Sequence, residues 1–491
     1  MRLSPLLINA QGNQILFMMT QSRQPEWKAT TGYTINAVSG IAEKGVHYNC
    51  TLYFYLANPG DVLHLIDDDY EYAVATYAPD VEAKYIYTYD YQPEESWTTY
   101  RRDFSVDQFT QEDYVFTKKA YFRVVLRRKE TAIKNVTTGN DLKAPLETPI
   151  NLPEILQWRK REQEKPCRSG LFEAEVRETV RAVCEKQGDG TLNFIILSDT
   201  HYTVNGTWED TADNLRRVSK ALEAKGVKLD GIIHLGDATD GLLPAELTRH
   251  YVMETLADLR ALGYPFYYVP GNHDSNYFRG NPERFTMEEM RDLYLPGYEH
   301  LYYDIVIDFT TPLRMIFLDS FDPGEQVRYG FHDQELEWLE NLLGQTPPDW
   351  KVLVFSHVPP AARLHYWSDV IRGSGRLLRI LRRYQARTGG LMGFVHGHNH
   401  ADQIDYEEGF PIISIGCNKC EYFPDKKPEG AIAYKRELQT VTQDLWDVCV
   451  VSPKTGDIDL VRFGAGEDRH IIKKAKKDRE TETPMKKVIT Y

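Results

Sequence analysis

The sequence predicts an α/β body preceded by an all-β domain, and three observations carry that prediction. From Leu192 onward, short apolar runs alternate with stretches of helical periodicity, the pattern of a layered α/β fold. Before about residue 150, helical periodicity is nearly absent, and runs rich in Tyr, Phe, Thr and Val are separated by turn residues. Five of the apolar runs after Leu192 each lead directly into Asp, Asn or His residues, at the strand ends where open α/β sheets bind ligands.

Taken in order, His47–Leu56, Glu71–Tyr77 and Tyr121–Leu126 read as strands of a β-sandwich within a domain at 1–140. Tyr85, Tyr87, Tyr89 and Tyr91 alternate, so a strand would line them on one face. They are expected to pack on their own sandwich; the alternative is a stacking platform for sugars or a partner. Residues 141–190 read as a linker with Pro145, Pro149, Pro153 and Pro166, followed by an amphipathic helix from Phe172 to about Gln187 with Val176, Val180 and Val183 on one face. The α/β domain is expected over 191–466, with helices near Asp210–Lys225, Pro244–Leu262, Pro282–Leu295, Asp333–Leu343 and Gly375–Arg387. A charged tail, 467–491, is expected to be solvated.

The 491 residues suggest two or three domains at about 150 residues each. An apolar fraction of 42% is ample for buried cores and excludes wholesale disorder. The net charge of −14 disfavours long nucleic acids and anionic membranes as partners, since such binding needs clustered Lys and Arg. Membrane insertion is not expected, because no apolar run reaches the roughly 18 residues a spanning helix needs. The first ten residues lack a signal-peptide core, so the expected location is cytoplasmic, or virion-associated for a phage-encoded chain. Six cysteines make no disulfide framework, and the C-x-x-C of Cys417 and Cys420 reads as two ordinary thiols near a strand end.

The polar clusters are Asp199-Thr200-His201, Gly236-Asp237, Gly271-Asn272-His273-Asp274, His357, and Gly397-His398-Asn399-His400. Spacings of two in Asp199/His201 and His398/His400 would put each pair on one side of an extended segment. Mixed carboxylates and imidazoles suit Mn, Fe or Zn rather than Mg or Ca. Seven candidate ligands exceed what one ion takes, which suggests two divalent transition-metal ions sharing a carboxylate and a water whose pKa they lower.

These motifs, in this order, resemble the calcineurin-like metallophosphoesterases over about 192–464. The resemblance implies a four-layer α/β/β/α sandwich and a dinuclear site that drives in-line attack on phosphorus. It assigns Asp199, His201, Asp237 and His400 to one metal. It assigns Asp237, Asn272, His357 and His398 to the other, with Asp237 bridging. It makes His273 the residue that contacts phosphate and protonates the leaving group, with Asp274 orienting it by a hydrogen bond. A looser resemblance, in the β-rich N-terminal domain and the closing Phe463–Arg469 segment, is to metallophosphoesterases of gut Firmicutes and their phages.

The expected function is hydrolysis of a phosphate ester, small or polymeric, and more specifically of a phosphodiester. The alternatives are a nucleotide phosphohydrolase, or a cell-surface or virion binding protein with an accessory esterase acting on glycerophosphate polymers such as teichoic acid. Arg279, Arg284, His365 and Arg372 are candidates for substrate contact. Homo-oligomerisation or assembly would run through the N-terminal domain.

Overall fold

The structure is a computed structural model. It describes residues 27–37, 42–79, 104–129, 150–160, 168–202, 207–241, 243–277, 281–308, 310–322, 325, 327–366, 369–425 and 427–471. The Tyr85–Tyr91 ladder, Arg279, most of the expected linker and the lysines of the tail lie outside these residues.

The N-terminal part is built from β1 (Ala29–Ile35), β2 (Ala42–Thr51), β3 (Tyr55–Ala57), β4 (Val62–Leu65), β5 (Tyr70–Tyr77), β6 (Phe104–Val106), β7 (Tyr114–Val115), β8 (Ala120–Arg128) and β9 (Leu156–Arg159). One sheet runs β1-β2-β8-β5-β6 with β3 also paired to β8, and a small sheet runs β7-β4-β9. Aromatic rings join the two: Phe122 of β8 lies 5.1 Å from Trp158 of β9 and 4.7 Å from Phe116. The single strand expected over His47–Leu56 breaks after Thr51, and the chain resumes pairing at Tyr55 against Phe122 of β8. Residues 150–160, read from composition as linker, instead form a helical turn at Leu152–Ile155 and then β9, which pairs antiparallel with β4.

Helix α1 (Glu173–Glu185) buries Val176, Val180 and Val183, as its periodicity requires. The body then alternates β10 (Leu192–Leu197), α2 (Trp208–Ala224), β11 (Gly231–His234), α3 (Ala245–Ala261), β12 (Phe266–Tyr268), α4 (Met287–Tyr294), β13 (Tyr303–Ile307), β14 (Leu313–Phe317), α5 (Asp333–Gln345), β15 (Lys351–Ser356), α6 (Ser374–Thr388), β16 (Leu391–His396), β17 (Gln403–Glu407), β18 (Phe410–Ser414), β19 (Leu445–Ser452), β20 (Asp457–Gly464) and β21 (Arg469–Ile471). Helix α4 starts later than Pro282 because Thr286 caps it: its side chain accepts from the Glu289 N–H, and Glu289 accepts from the Thr286 N–H.

Two sheets result, ordered β12-β11-β10-β19-β20-β21 and β13-β14-β15-β16-β18-β17. Their strands are apolar on both faces because both faces are covered. Phe194, Ile196 and Ile233 face Phe317, Phe355 and Ile413 across the centre. The alternate residues Ile195 and Leu197 pack outward with Val180, Leu215 and Leu222 of α1 and α2. On the far side, Ile316, Val352 and Val354 pack with Leu336, Leu339, Leu377 and Leu381 of α5 and α6. This is the expected α/β/β/α order. Strands β10, β11 and β12 are mutually parallel, as are β14, β15, β16 and β18, so their carboxyl ends gather at one edge. Among the described residues no helix is long and apolar enough to cross a membrane.

A Pro-rich linker predicts few contacts between the two parts, yet the β-domain is seated on α3. Tyr33 Oη donates to Glu246 at 2.8 Å, Tyr53 Oη donates to Glu254 at 2.6 Å, and Tyr251 Oη donates to the Leu52 carbonyl. One apolar cluster runs without a break from the β-sheet through α3 to β10.

Candidate dinuclear metal centre

All five sequence clusters meet where the parallel strands end, in loops that depart from ordinary backbone geometry. Asp199, His201, Asp237, His398 and His400 all have positive φ, between 44° and 65°; among the described non-glycine residues only Asn276 and Gln439 do the same. Each such residue costs about 1–2 kcal/mol, and such strain collects at functional sites. Hydrogen bonds between loops hold it: Asp199 N–H to Gly236 O at 3.0 Å, His201 N–H to Asp237 O at 3.0 Å, and His398 N–H to Asp199 Oδ2 at 3.0 Å. Gly271 and Gly397 are required here by close approach. A Cβ at Gly271 would strike the Asp237 carboxylate, and one at Gly397 would strike the Ser198 hydroxyl.

The ligand atoms form two groups, Asp199, His201 and His400, and Asp237, His357 and His398, each with all its atoms within 4.8 Å of one another. Asn272 joins the second group, its Oδ1 lying 3.1 Å from His357 Nε2. Asp237 Oδ2 lies between the groups, 3.1 Å from His357 Nε2 and 3.8 Å from His201 Nε2. The expectation from spacing that His398 and His400 share one side is overturned. Both residues are left-handed rather than extended, so they turn into different groups.

Electrostatics define what the groups lack. Burial would raise the Asp199 carboxyl, but the His400, His201 and His357 imidazoles hold it well below the usual range. Asp237 is brought down to about 2, burial again opposing, chiefly by His357 and His273. Conversely, against burial, His201 is raised to about 10 by Asp199 and Asp240, and His357 to about 9 by Asp237. Protons on buried imidazoles thus balance buried carboxylates, and cations could replace them. Asp199 Oδ1, fully buried, accepts no hydrogen bond among the described residues. The donor set therefore fits cationic ligands of the transition-metal type.

His273 stands over the shared carboxylate, with Nε2 3.9 Å from Asp237 Oδ2 and its N–H donating to Asp237 Oδ1 at 2.8 Å. The expectation that Asp274 orients it is corrected by the distances. His273 Nδ1 bonds the Asp240 carbonyl at 2.7 Å. The buried Asp274 carboxylate instead accepts from the N–H groups of Asp237, Ala238 and Gly271 and from Tyr268 Oη, at 2.7–3.0 Å. Asp274 therefore fixes the loop that carries Asp237.

Three residues that the motifs did not reveal complete the site. Glu421 Oε1 lies 2.9 Å from His400 Nδ1, and Asp240 Oδ1 lies 3.2 Å from His201 Nδ1. Lys419 Nζ, buried, sits 3.1 Å from Asp240 and 3.6 Å from Glu421. The available signal was a sixth polar cluster after an apolar run: Asn418-Lys419-Cys420-Glu421 follows β18, and it was read only as a C-x-x-C. The cysteines themselves are buried and unbridged, with Cys417 Sγ beside the Asp199 carbonyl.

Of the candidate substrate contacts, His365 Nε2 lies 2.8 Å from His398 Nε2, with the rings stacked. Arg372 is engaged by Glu325 at 3.3 Å and Asp322 at 3.8 Å. Arg284 lies 4.4 Å from the centre of the Tyr277 ring.

Comparison with known proteins agrees with this geometry. The calcineurin-like phosphoesterase family profile matches residues 192–402. A Rhodococcus erythropolis protein named "Probable cyclic nucleotide phosphodiesterase" is 29% identical over 243 residues, 46% of this chain and 71% of that one. An Arcobacter nitrofigilis protein named "Probable glycerophosphodiester phosphodiesterase" is 34% identical over 174 residues, 34% of this chain and 57% of that one. Among solved structures, a dimetal phosphatase from Danio rerio aligns with 58% of this chain and 99% of its own, at 16% identity and a TM-score of 0.42. Residues 192–402, with their strand-end candidate ligands, match the calcineurin-like phosphoesterase family.

Proposed function

We propose that the chain hydrolyses phosphodiesters with two divalent transition-metal ions, one held by Asp199, His201 and His400, the other by Asn272, His357 and His398, with Asp237 shared. The observation that carries this reading is the Asp237 carboxylate between the two ligand groups with His273 above it. Two cations there supply Lewis-acid activation of water and of a phosphoryl oxygen. The chain's own residues do the rest. The Asp240 carbonyl accepts a hydrogen bond from His273 Nδ1–H and so fixes the ring, with Nε2 on the side of the shared Asp237 carboxylate. A proton held at Nε2 passes to the departing alkoxide. Burial lowers the His273 pKa, which makes that proton easier to give up. The preference for diesters rests on the two relatives named as phosphodiesterases. All proposed ligands lie after residue 198, so the β-domain is assigned recognition or assembly rather than bond cleavage.

The test is turnover of bis(p-nitrophenyl) phosphate against p-nitrophenyl phosphate by the metal-loaded full chain. The diester should have the higher kcat/KM. Exclusive cleavage of the monoester would overturn the diesterase reading.

A further inference from the structure

Tyr277, four residues beyond His273, is buried and carries two cations. The guanidinium carbons of Arg284 and Arg328 each lie 4.4 Å from its ring centre. The two charges are therefore at most about 9 Å apart, close to one Debye length at physiological salt. Neither guanidinium has an acidic partner among the described residues. Arg284 donates only to the Asn281 carbonyl, at 3.3 Å. The acids of the hairpin that bears Arg328, Asp322 and Glu325, are engaged by Arg372.

Ring contacts link the tyrosine that carries this pair to the metal centre. The Tyr277 ring packs on Phe321 at 5.8 Å, Phe321 on Tyr329 at 5.6 Å, and Tyr329 on the ligand His398 at 5.2 Å. On its other side, the Tyr277 main chain lies against Gly241, next to the Asp240 that holds His273. Two like charges held together without an acid repel, and stacking on a tyrosine offsets that only partly. An anion that reached both guanidinium groups at the ring edge would relieve the repulsion and accept charge-assisted hydrogen bonds from both.

We infer that Arg284 and Arg328 form a subsite for a second phosphoryl anion of the substrate, beyond the one being cleaved. The inference rests on the phosphodiesterase reading and narrows it to substrates with at least two phosphates. The second could be a terminal monoester phosphate or the next diester of a repeating polymer.

The test uses a matched pair, thymidine 3′-(p-nitrophenyl phosphate) with and without a 5′-phosphate, and a glycerophosphate oligomer, measured for turnover and for calorimetric binding. The metal-loaded full chain should favour the phosphorylated ester by tenfold or more in kcat/KM. That ratio should fall by about tenfold or more in Arg328→Gln and in Arg284→Gln. Arg328→Lys should restore part of it, and the short ester serves as the control for folding. Preference for the oligomer over the 5′-phosphate would identify the neighbouring diester as the anion's source, and the reverse would identify the monoester. A ratio near one, or one that both Gln variants leave unchanged, overturns the subsite. A protein that cleaves neither ester but binds the phosphorylated one more tightly, with the excess lost in Arg328→Gln, overturns the phosphodiesterase reading and keeps the subsite.

Discussion

The two ligand groups share Asp237 but are backed differently. In the first, His400 and His201 are held by carboxylates, Glu421 and Asp240, which are themselves tied to the buried Lys419. In the second, no carboxylate stands behind the imidazoles: the Leu235 carbonyl lies 2.6 Å from His357 Nδ1, and the His365 ring stacks against His398. The outer imidazoles of the two groups also shift in opposite directions. His400 is raised well above its ordinary value, burial opposing, by Cys417 and Asp199. His398 is pushed well below its ordinary value by burial and by His365 and His357. A carboxylate behind a ligating imidazole raises its basicity toward a metal. On the two-ion proposal, the first group is expected to bind the more tightly and the second to be filled last.

The largest test removes what the groups share. Asp237→Asn takes the negative charge from between them and should abolish nearly all turnover, with the loss of at least one of two ions by elemental analysis. Two ions retained with normal turnover would show that neither half depends on that carboxylate.

Next in size is His273→Ala, which should leave both groups filled. General acid catalysis contributes roughly 10²–10⁴-fold. The loss should be of that order on alkyl diesters and much smaller on p-nitrophenyl diesters, whose leaving group needs no proton. An equal loss on both would mean that His273 only binds phosphate.

The asymmetry itself is tested by removing the supports. Glu421→Gln keeps the shape but not the charge behind His400 and should weaken the first ion about 10–100-fold. His365→Ala removes no carboxylate, only the ring stacked on His398, and should weaken the second ion by less than about tenfold. Calorimetric titration of the metal-free protein resolves the two events. A larger effect from His365→Ala would reverse the assignment of tight and weak halves.

Sequence alone exposed the candidate ligands that the fold brings together because each is written locally, as Asp, Asn or His at the end of an apolar run. It could not expose their supports. Lys419 and Asp240 meet across 179 positions, where the segment after β18 is held against the loop after β10 by the Asn418 and Lys419 N–H groups donating to the Ser198 and Asp199 carbonyls. The same limit explains Asp274. Adjacency to His273 suggested a hydrogen bond, whereas the tight turn sends the two side chains apart, Asp274 into the backbone N–H groups beneath Asp237. The layers of the α/β body were legible because apolar runs and helical faces alternate along the chain. The seating of the β-domain on α3 was not, since Tyr33, Tyr53 and Tyr251 carry no local mark of an interface.

The smallest effect concerns protons. In the metal-free protein the folded-state pKa values of His201 and His357, about 10 and about 9, lie above their ordinary 6.5. Groups raised in this way stabilise the fold fully below pH 6.5, and that contribution is lost as pH rises through 9 to 10. Metal-free Tm should therefore fall over that range. Metal ions displace the same protons, so the loaded protein should fall less and the gap between the two should widen with pH. The two halves should also differ in how many protons they release. In the metal-free protein both imidazoles of the first group, His201 and His400, are shifted toward the protonated form, whereas in the second His357 is shifted that way and His398 the other way. Calorimetry in buffers of different ionisation enthalpy should count more protons released with the first ion than with the second. Equal counts would mean that the carboxylate network behind the first group does not set its charge, and that the two halves bind with like strength despite their different supports.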